Sequence, residues 1–430
     1  MRKIDIFNPN IFLLFLLFIF FINCDLFQTD TKTEVNDNDK KKNKISNLVT
    51  EFGHAGSVNI IAGEYSKSEK IIVQTDKKII TAGTYTITDS DHNSFYHTYI
   101  TRHTQNGLPD TGFGLNGMIK YSADCHNYFC DILQLPDEKI LVLIRNNEFS
   151  GKSYINTTII GYTKNGQLDT SFGNNGIVTL ESPLKYFILQ SDNRIIGLGN
   201  ERIDHDEDIV IHCLKLNGEY DTDFGNNGIV TTDILGRYDY ANTLKVTADN
   251  KIFVGGYSTR SDKNILLIKY LENGGLDNSF GDRGFILLDL GPDDSICKLF
   301  LESDGSVIAV DNTGVLMKFD SSGILDKNFA EKGIADNNLY HIHQIDDACR
   351  LSDGKIILSG SHLNIPAIFQ LGSDGLLDKS LNDNGILYLK KMFYISDKLY
   401  LVKTDDNKVI SYGSKYINLH SQSFLVCLQF

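Results

Sequence analysis

A chain that repeats itself constrains its own fold more tightly than any single motif does. Residues 168–180 read LDTSFGNNGIVTL, and 52 positions later, at 220–232, the chain reads YDTDFGNNGIVTT. Taking the aromatic of this string as an anchor gives Phe52, Phe113, Phe172, Phe224, Phe280 and Phe329, with Leu381 in the seventh place. The spacings are 61, 59, 52, 56, 49 and 52 residues. Their mean is about 55, the size of one small β-sheet. A glycine stands four residues after every anchor: Gly56, Gly117, Gly176, Gly228, Gly284, Gly333 and Gly385. An aspartate stands three residues before six of them, from Asp110 to Asp378, and the first unit has Val49 there.

Two more elements keep register with the anchor. Each anchor is followed 20 to 25 residues later by one of the strings TDKKII, PDEKIL, SDNRII, ADNKIF, SDGSVI, SDGKII or DDNKVI. Asp ahead of Gly or Asn suits the positive-φ positions of a tight hairpin, and the β-branched residue that follows starts the returning strand. A glycine three residues before the anchor's aspartate, as in KNGQLD, LNGEYD and ENGGLD, closes an apolar alternating run such as NILLIKY. Each unit reads as four short strands, for example GIVTL, KYFILQ, RIIGLG and DIVIHCLKL, and no helix-period segment of useful length follows residue 47. Seven such units, each too small to fold alone, predict an all-β fold over residues 48–430: a seven-bladed β-propeller of four-stranded antiparallel blades. A β-solenoid is the alternative, although a unit of about 55 residues is long for one coil. The pattern leaves open which strand closes the ring.

The linked strings LD-x-SFG-x-x-G, DGKI and NG-x-LD resemble the delta-60 repeat family of bacterial propeller-like proteins. Residues 168–176, 276–284 and 352–356 carry the resemblance best. It extends over residues 48–430, with Ala330 and Asn382 in place of the glycine that follows the aromatic, Leu381 in place of the aromatic, and Val49 in place of the first aspartate. The absence of tryptophan separates the chain from WD-repeat and kelch propellers. The resemblance implies a propeller in a cell-envelope setting and says little about activity.

The N-terminus follows a different logic. Arg2 and Lys3 precede the apolar run IFLLFLLFIFFI at 11–22, then Asn23 and Cys24. Twelve apolar residues are too few to span a bilayer, and the pattern fits a secretory signal over residues 1–24. FINC resembles the lipobox of bacterial lipoproteins, with Phe21 where Leu is usual and Asn23 where a small residue is usual. Cys24 is therefore the expected lipid-attachment site on a bacterial membrane, with simple cleavage and secretion as the alternative. Residues 25–47 are polar and mixed in charge, as suits a flexible tether. With 55 acidic against 41 basic side chains, the net charge of −14 opposes nucleic-acid binding.

Few residues carry the marks of chemistry. The anchor loop offers Asp169, Asp221 and Asp223 to a cation, but its recurrence in every unit points to a turn in which Asp caps N–H groups, Phe is buried between blades and Gly takes positive φ. The cysteines form no C-x-x-C pair; Cys130 and Cys297 hold like positions in blades two and five, too far apart to bond, and most read as small buried residues. His341 and His343 share a strand face without a marked metal partner. ERIDHDED, residues 201–208, reads as a solvated tip, with a cation or a basic partner as the alternative. No nucleophile–base arrangement, P-loop or dinucleotide fingerprint appears, so no metal and no cofactor are expected.

Strand alternation locates a binding surface. The Asp hairpins and the Asn-Gly to Phe-Gly junctions share one face, and the connections that vary between units share the other. Function tends to sit in such variable loops on a rigid scaffold. Tyr96, His97, Asp206, Tyr238, Tyr240 and Arg260 are its candidate residues. The expected protein is an exported, lipid-anchored, monomeric binding or scaffold module that recognises a protein or glycan. The alternative is a hydrolase or lyase with acidic residues in the central channel.

Overall fold

The apolar alternating runs of the repeat form strands. The computed structural model describes residues 47–430 apart from 91–92, 124, 148–154, 204–205, 292, 337–341, 390–397, 406 and 418–419. Cys24 and the signal, the tether before Asn47, and His341 lie outside the described residues, as does the side chain of His343. After the short strand β1 (Ser57–Ile60), blade 1 is β2 (Tyr65–Val73), β3 (Ile79–Thr88), β4 (Ser94–His103) and β5 (Met118–Tyr121). Blade 2 is β6 (His126–Gln134), β7 (Ile140–Asn147), β8 (Ile155–Tyr162) and β9 (Ile177–Leu180). Blade 3 is β10 (Leu184–Leu189), β11 (Ile195–Ile203), β12 (Asp206–Leu214) and β13 (Ile229–Thr232). Blade 4 is β14 (Tyr238–Val246), β15 (Ile252–Thr259), β16 (Lys263–Tyr270) and β17 (Phe285–Leu288). Blade 5 is β18 (Ile296–Leu301), β19 (Val307–Asp311), β20 (Leu316–Phe319) and β21 (Ile334–Ala335). Blade 6 is β22 (Ile342–Arg350), β23 (Ile356–His362), β24 (Ile365–Leu371) and β25 (Ile386–Tyr388). Blade 7 is β26 (Tyr400–Asp405), β27 (Lys408–Ile417), β28 (His420–Gln429) and, at its outer edge, β1. The first strands of neighbouring blades touch one another around the whole ring, and β26 returns to β2.

The sequence unit and the blade are offset by one strand. GIVTL of the third unit is β9, and it pairs with β8, Ile177 opposite Ile160, rather than with β10 of its own unit. Each unit thus gives its first strand to the blade before it. For the first unit that blade is the seventh: β1 pairs with β28 from Ser57 opposite Val426 to Ile60 opposite Ser423. Leu48 extends the ladder to Leu428, and the Gln429 N–H donates to the Asn47 carbonyl at 2.7 Å. This pairing closes the ring and covers the edge strand β28 would otherwise present.

The core lies between blades. In β15, Ile252 and Val254 pack towards blade 3 with Ile196, Ile211 and Ile268, while Phe253 packs towards blade 5 with Leu267, Phe280, Ile296 and Leu299. Both faces of a middle strand are therefore buried, which is why NILLIKY and its counterparts are nearly all apolar. Each buried Ile or Leu contributes about 1.5–3 kcal/mol. The inner strands of blades 1 to 6 each carry a bulge, with Glu69, Cys130, Lys185, Asn242, Cys297 and Asp346 as the extra residue. Cys130 and Cys297 thus hold the same position, and both are free thiols, as are Cys213 and Cys349.

Candidate functional site

The anchor string builds the ring. Phe172 is buried between blades 2 and 3, and its ring tip lies against Gly218 in the Asn-Gly turn of blade 3. A Cβ at Gly218 would come within 3.1 Å of that ring and 2.5 Å of Val178, and φ there is +88°, so only glycine fits. The next residue, Gly173, donates its N–H to the Asn217 carbonyl of the same turn at 2.9 Å. Phe52, Phe113, Phe224, Phe280 and Phe329 are buried likewise, and Gly56, Gly117, Gly176, Gly228, Gly284, Gly333 and Gly385 all take positive φ.

The recurring aspartate has a partner that explains the recurring lysine. Asp169 accepts the Ser171 N–H with Oδ1 and pairs through Oδ2 with Nζ of Lys139, from the Asp hairpin of the same blade, at 3.1 Å. Lys78 serves Asp110 and Lys355 serves Asp378 in the same way. In blades 4 and 5 the cation comes instead from eight residues upstream, Lys269 to Asp277 and Lys318 to Asp326, each at 3.3 Å. Burial opposes ionisation of Asp169, but the bonds from Ser171 and Lys139 hold its carboxyl below the usual range.

The ring of inner strands holds charged groups that are also engaged. Asp131 accepts Lys70 Nζ at 2.9 Å and the N–H of Phe187 in blade 3 at 3.1 Å, so it ties three blades together. Asp347 repeats the arrangement with Lys298 and the Leu401 N–H. Lys245 lies near these groups, and burial followed by the Lys298 and Lys70 charges brings its pKa down to about 8.

The variable connections stand at the other end of the inner strands. Two of these connections are extended as hairpin arms: β3 and β4 pair as far as Thr88 opposite Ser94, and β11 and β12 as far as Ile203 opposite Asp206. Thr- and Tyr-rich stretches suit strands even when exposed, so these two connections are built largely of sheet. In blade 5 the arm is nearly absent.

Two aromatic groups mark this face. Tyr96, on the arm of blade 1, stacks on Tyr128 of blade 2 with ring centroids 5.2 Å apart and planes at 27°, and its N–H donates to His126 Nδ1 at 3.3 Å. Tyr240 stacks on Tyr257 at 4.7 Å and 18°; Lys263 lies 5.2 Å from the Tyr257 ring and Lys185 6.0 Å from that of Tyr240. Tyr238 is exposed, Asp206 is half-buried, and the exposed Arg260 donates to the Leu235 carbonyl at 2.9 Å. His97 corrects the expectation: it is only 7 % exposed and packs on Tyr85, because neighbours on a strand point to opposite sides and Tyr96 takes the outward one. Tyr128, Tyr257, Lys185 and Lys263 escaped the sequence reading. Counting register outward from the Asn250 turn would set Tyr240 opposite Ser258; the bulge at Asn242 moves it to Tyr257, so a plain count misses the pair.

Fold and face together define the class: a seven-bladed β-propeller with one end built of repeated turns and the other of irregular arms. Residues 247–280, from an Asp hairpin to the next anchor, match a family model described as a domain of unknown function (DUF5122) beta-propeller. No curated protein sequence matches the chain. Among solved structures, it is similar to a protein of unknown function from Dyadobacter fermentans, at 11% identity and a TM-score of 0.47 over 87% of this chain and 98% of that one. It is similar to the WD40 beta propeller domain of Doa1 at 12% identity and a TM-score of 0.47, over 87% and 97% of the two chains. The YCF48 protein of Cyanidioschyzon merolae gives 9% identity and a TM-score of 0.45, over 86% and 98%.

Proposed function

We propose that this chain is a non-catalytic binding module that takes a protein or glycan ligand on its irregular face. The observation that carries the reading is the pair of stacked tyrosine groups, Tyr96 with Tyr128 and Tyr240 with Tyr257, the second flanked by two lysines. Rigid aromatic planes beside hydrogen-bonding and cationic groups bind sugar rings and peptide side chains at small entropic cost. The engagement of Asp131 and Asp347 with lysines and backbone N–H groups favours a structural over a catalytic role for the channel acids. Residues 1–24 act as an export signal, Cys24 takes the lipid, and residues 25–47 hold the monomeric propeller off the surface of the bacterial envelope.

The test is capture of envelope proteins and glycan-array binding by the full chain, compared with Tyr96→Ala/Tyr128→Ala and Tyr240→Ala/Tyr257→Ala. The ligand seen with the parent chain should be lost in one or both variants, and undiminished binding by both removes the face assignment. Membrane retention and processing that are unchanged in Cys24→Ala would dispose of the lipid anchor.

A further inference from the structure

Three carboxylates meet on the irregular face where blade 3 hands over to blade 4. Asp208 lies near the start of β12, Asp233 follows β13, and Asp239 is the second residue of β14. One oxygen from each lies within 4.8 Å of the others. Asp239 has an evident structural task, since its Oδ2 accepts the Ile234 N–H and caps the crossover between the blades. Three other blades contain the same cap: Ser66 accepts from Ala62 at 2.8 Å, Asn127 from Ala123 at 2.9 Å, and Asp294 from Leu290 at 2.6 Å. A neutral Ser or Asn is sufficient for that task. Capping therefore does not account for a charge at position 239.

Among the described residues, no positive charge is set against Asp239. The residue is 0 % exposed, and its Oδ1 has no hydrogen-bond partner. Ser258, its partner across the β14–β15 ladder, is also 0 % exposed and sets its hydroxyl beside the same carboxylate, where it is a neutral group that favours the charged form without balancing it. Among the described residues, the charges that act most on Asp239 are those of Asp233 and Asp208, both negative. Buried polar atoms in native proteins have partners, and a buried carboxylate among carboxylates is unfavourable without a counter-charge. The ligand atoms are all oxygen, from three acids and a hydroxyl, which suits a hard divalent cation and not a transition metal.

We propose that Asp208, Asp233, Asp239 and Ser258 form a Ca²⁺ site. Asp239 and Ser258 form its buried floor, and the exposed Asp233 its open side. The ion joins β12, the crossover, β14 and β15, and so braces the strands that carry Tyr238, Tyr240 and Tyr257. The inference stands apart from the choice of ligand for that face.

The experiment is Tb³⁺ luminescence sensitised by tyrosine, with Ca²⁺ competition, on the chelator-treated full-length chain, together with thermal melts in Ca²⁺ and in chelator. The chain has no tryptophan, so the tyrosines are the sensitisers. Saturable luminescence displaced by Ca²⁺, and a higher melting temperature in Ca²⁺, are expected. Asp239→Asn keeps the cap, as Asn127 does in blade 2, and should weaken binding at least tenfold; Asp294→Asn, the same change at the next crossover, should leave it unaltered. If Asp239→Asn fails to fold, Asp233→Asn at the exposed position takes its place. The proposal is overturned by the absence of a saturable signal and of a Ca²⁺ shift up to millimolar concentration, by Asp239→Asn binding like the parent, or by Asp294→Asn losing binding equally.

Discussion

Directly after the anchor aromatic, the backbone is left-handed in every unit: φ is 54° at Gly225, and still 43° at Ala330 and 50° at Asn382. An alanine in that region costs about 1–2 kcal/mol. Ala330→Gly should therefore stabilise the chain by roughly 0.5–1 kcal/mol once the looser unfolded chain is counted. Gly225→Ala should destabilise it by about 2 kcal/mol or more, because the new Cβ would lie 2.4 Å from the Ile229 carbonyl oxygen. Urea unfolding midpoints of the two variants check both signs. Four groups with large shifts act against one another in the acid range. Burial holds His103 and His212 at about 4 against 6.5, so the stability they contribute is present above pH 6.5 and lost as the pH falls through 4. Burial raises Asp239 and Asp346 to about 6 against 3.8, so their contribution is full below pH 3.8 and lost as the pH rises through 6. The two effects oppose each other, each group being worth at most about 3 kcal/mol. Without divalent cations, stability should change little between pH 4 and 6.5. His212→Asn should gain relative to the parent on acidification, Asp239→Asn should lose, and denaturant melts at pH 4.5 and 7 would expose a wrong sign in either.

Among the elements, β1 has a weight out of proportion to its length. It and the segment before it bury Phe52, Val58 and Ile60, and they cover the edge of β28. Starting the chain at residue 62 should cost on the order of 5 kcal/mol, from three apolar side chains at about 1.5–3 kcal/mol each. It should also produce edge-paired dimers, visible by light scattering after gel filtration. A monomeric, equally stable truncation would show that the ring closes without β1. The seven strand sets, the Asp hairpins and the buried anchors were legible in the sequence because local turn chemistry and alternation specify them. The offset between unit and blade was not, since GIVTL alternates identically whichever neighbour it pairs with, and only long-range pairing decides. The aromatic face was half legible: Tyr96 and Tyr240 stood out, whereas their stacking partners depend on blade-to-blade placement for Tyr128 and on register for Tyr257. The carboxylate group was legible only in part: a cation was the alternative for residues 201–208, which include Asp208, but Asp233 and Asp239 join it only after blades 3 and 4 pack.

On the scale of the molecule, two aspartates each draw three consecutive blades together, Asp131 with Lys70 and Phe187 across blades 1 to 3, and Asp347 with Lys298 and Leu401 across blades 5 to 7. Losing one member strands a buried charge, so Lys70→Met should destabilise by about 3–5 kcal/mol. Restoring neutrality with Lys70→Met/Asp131→Asn should recover part of that loss. If the double variant were no more stable than the single in a urea melt, the pair would not be the coupling between those blades.

The ring closure also decides where the molecule would yield under load. Any tension carried along the N-terminal segment enters the fold at Asn47 and passes directly into the ladder against β28. The N-terminal entry to the fold and its clasp are thus mechanically one. A pull at that end tests the seventh blade before any other, while the aromatic groups of blades 1 to 4 remain in sheets whose strands follow one another without a break.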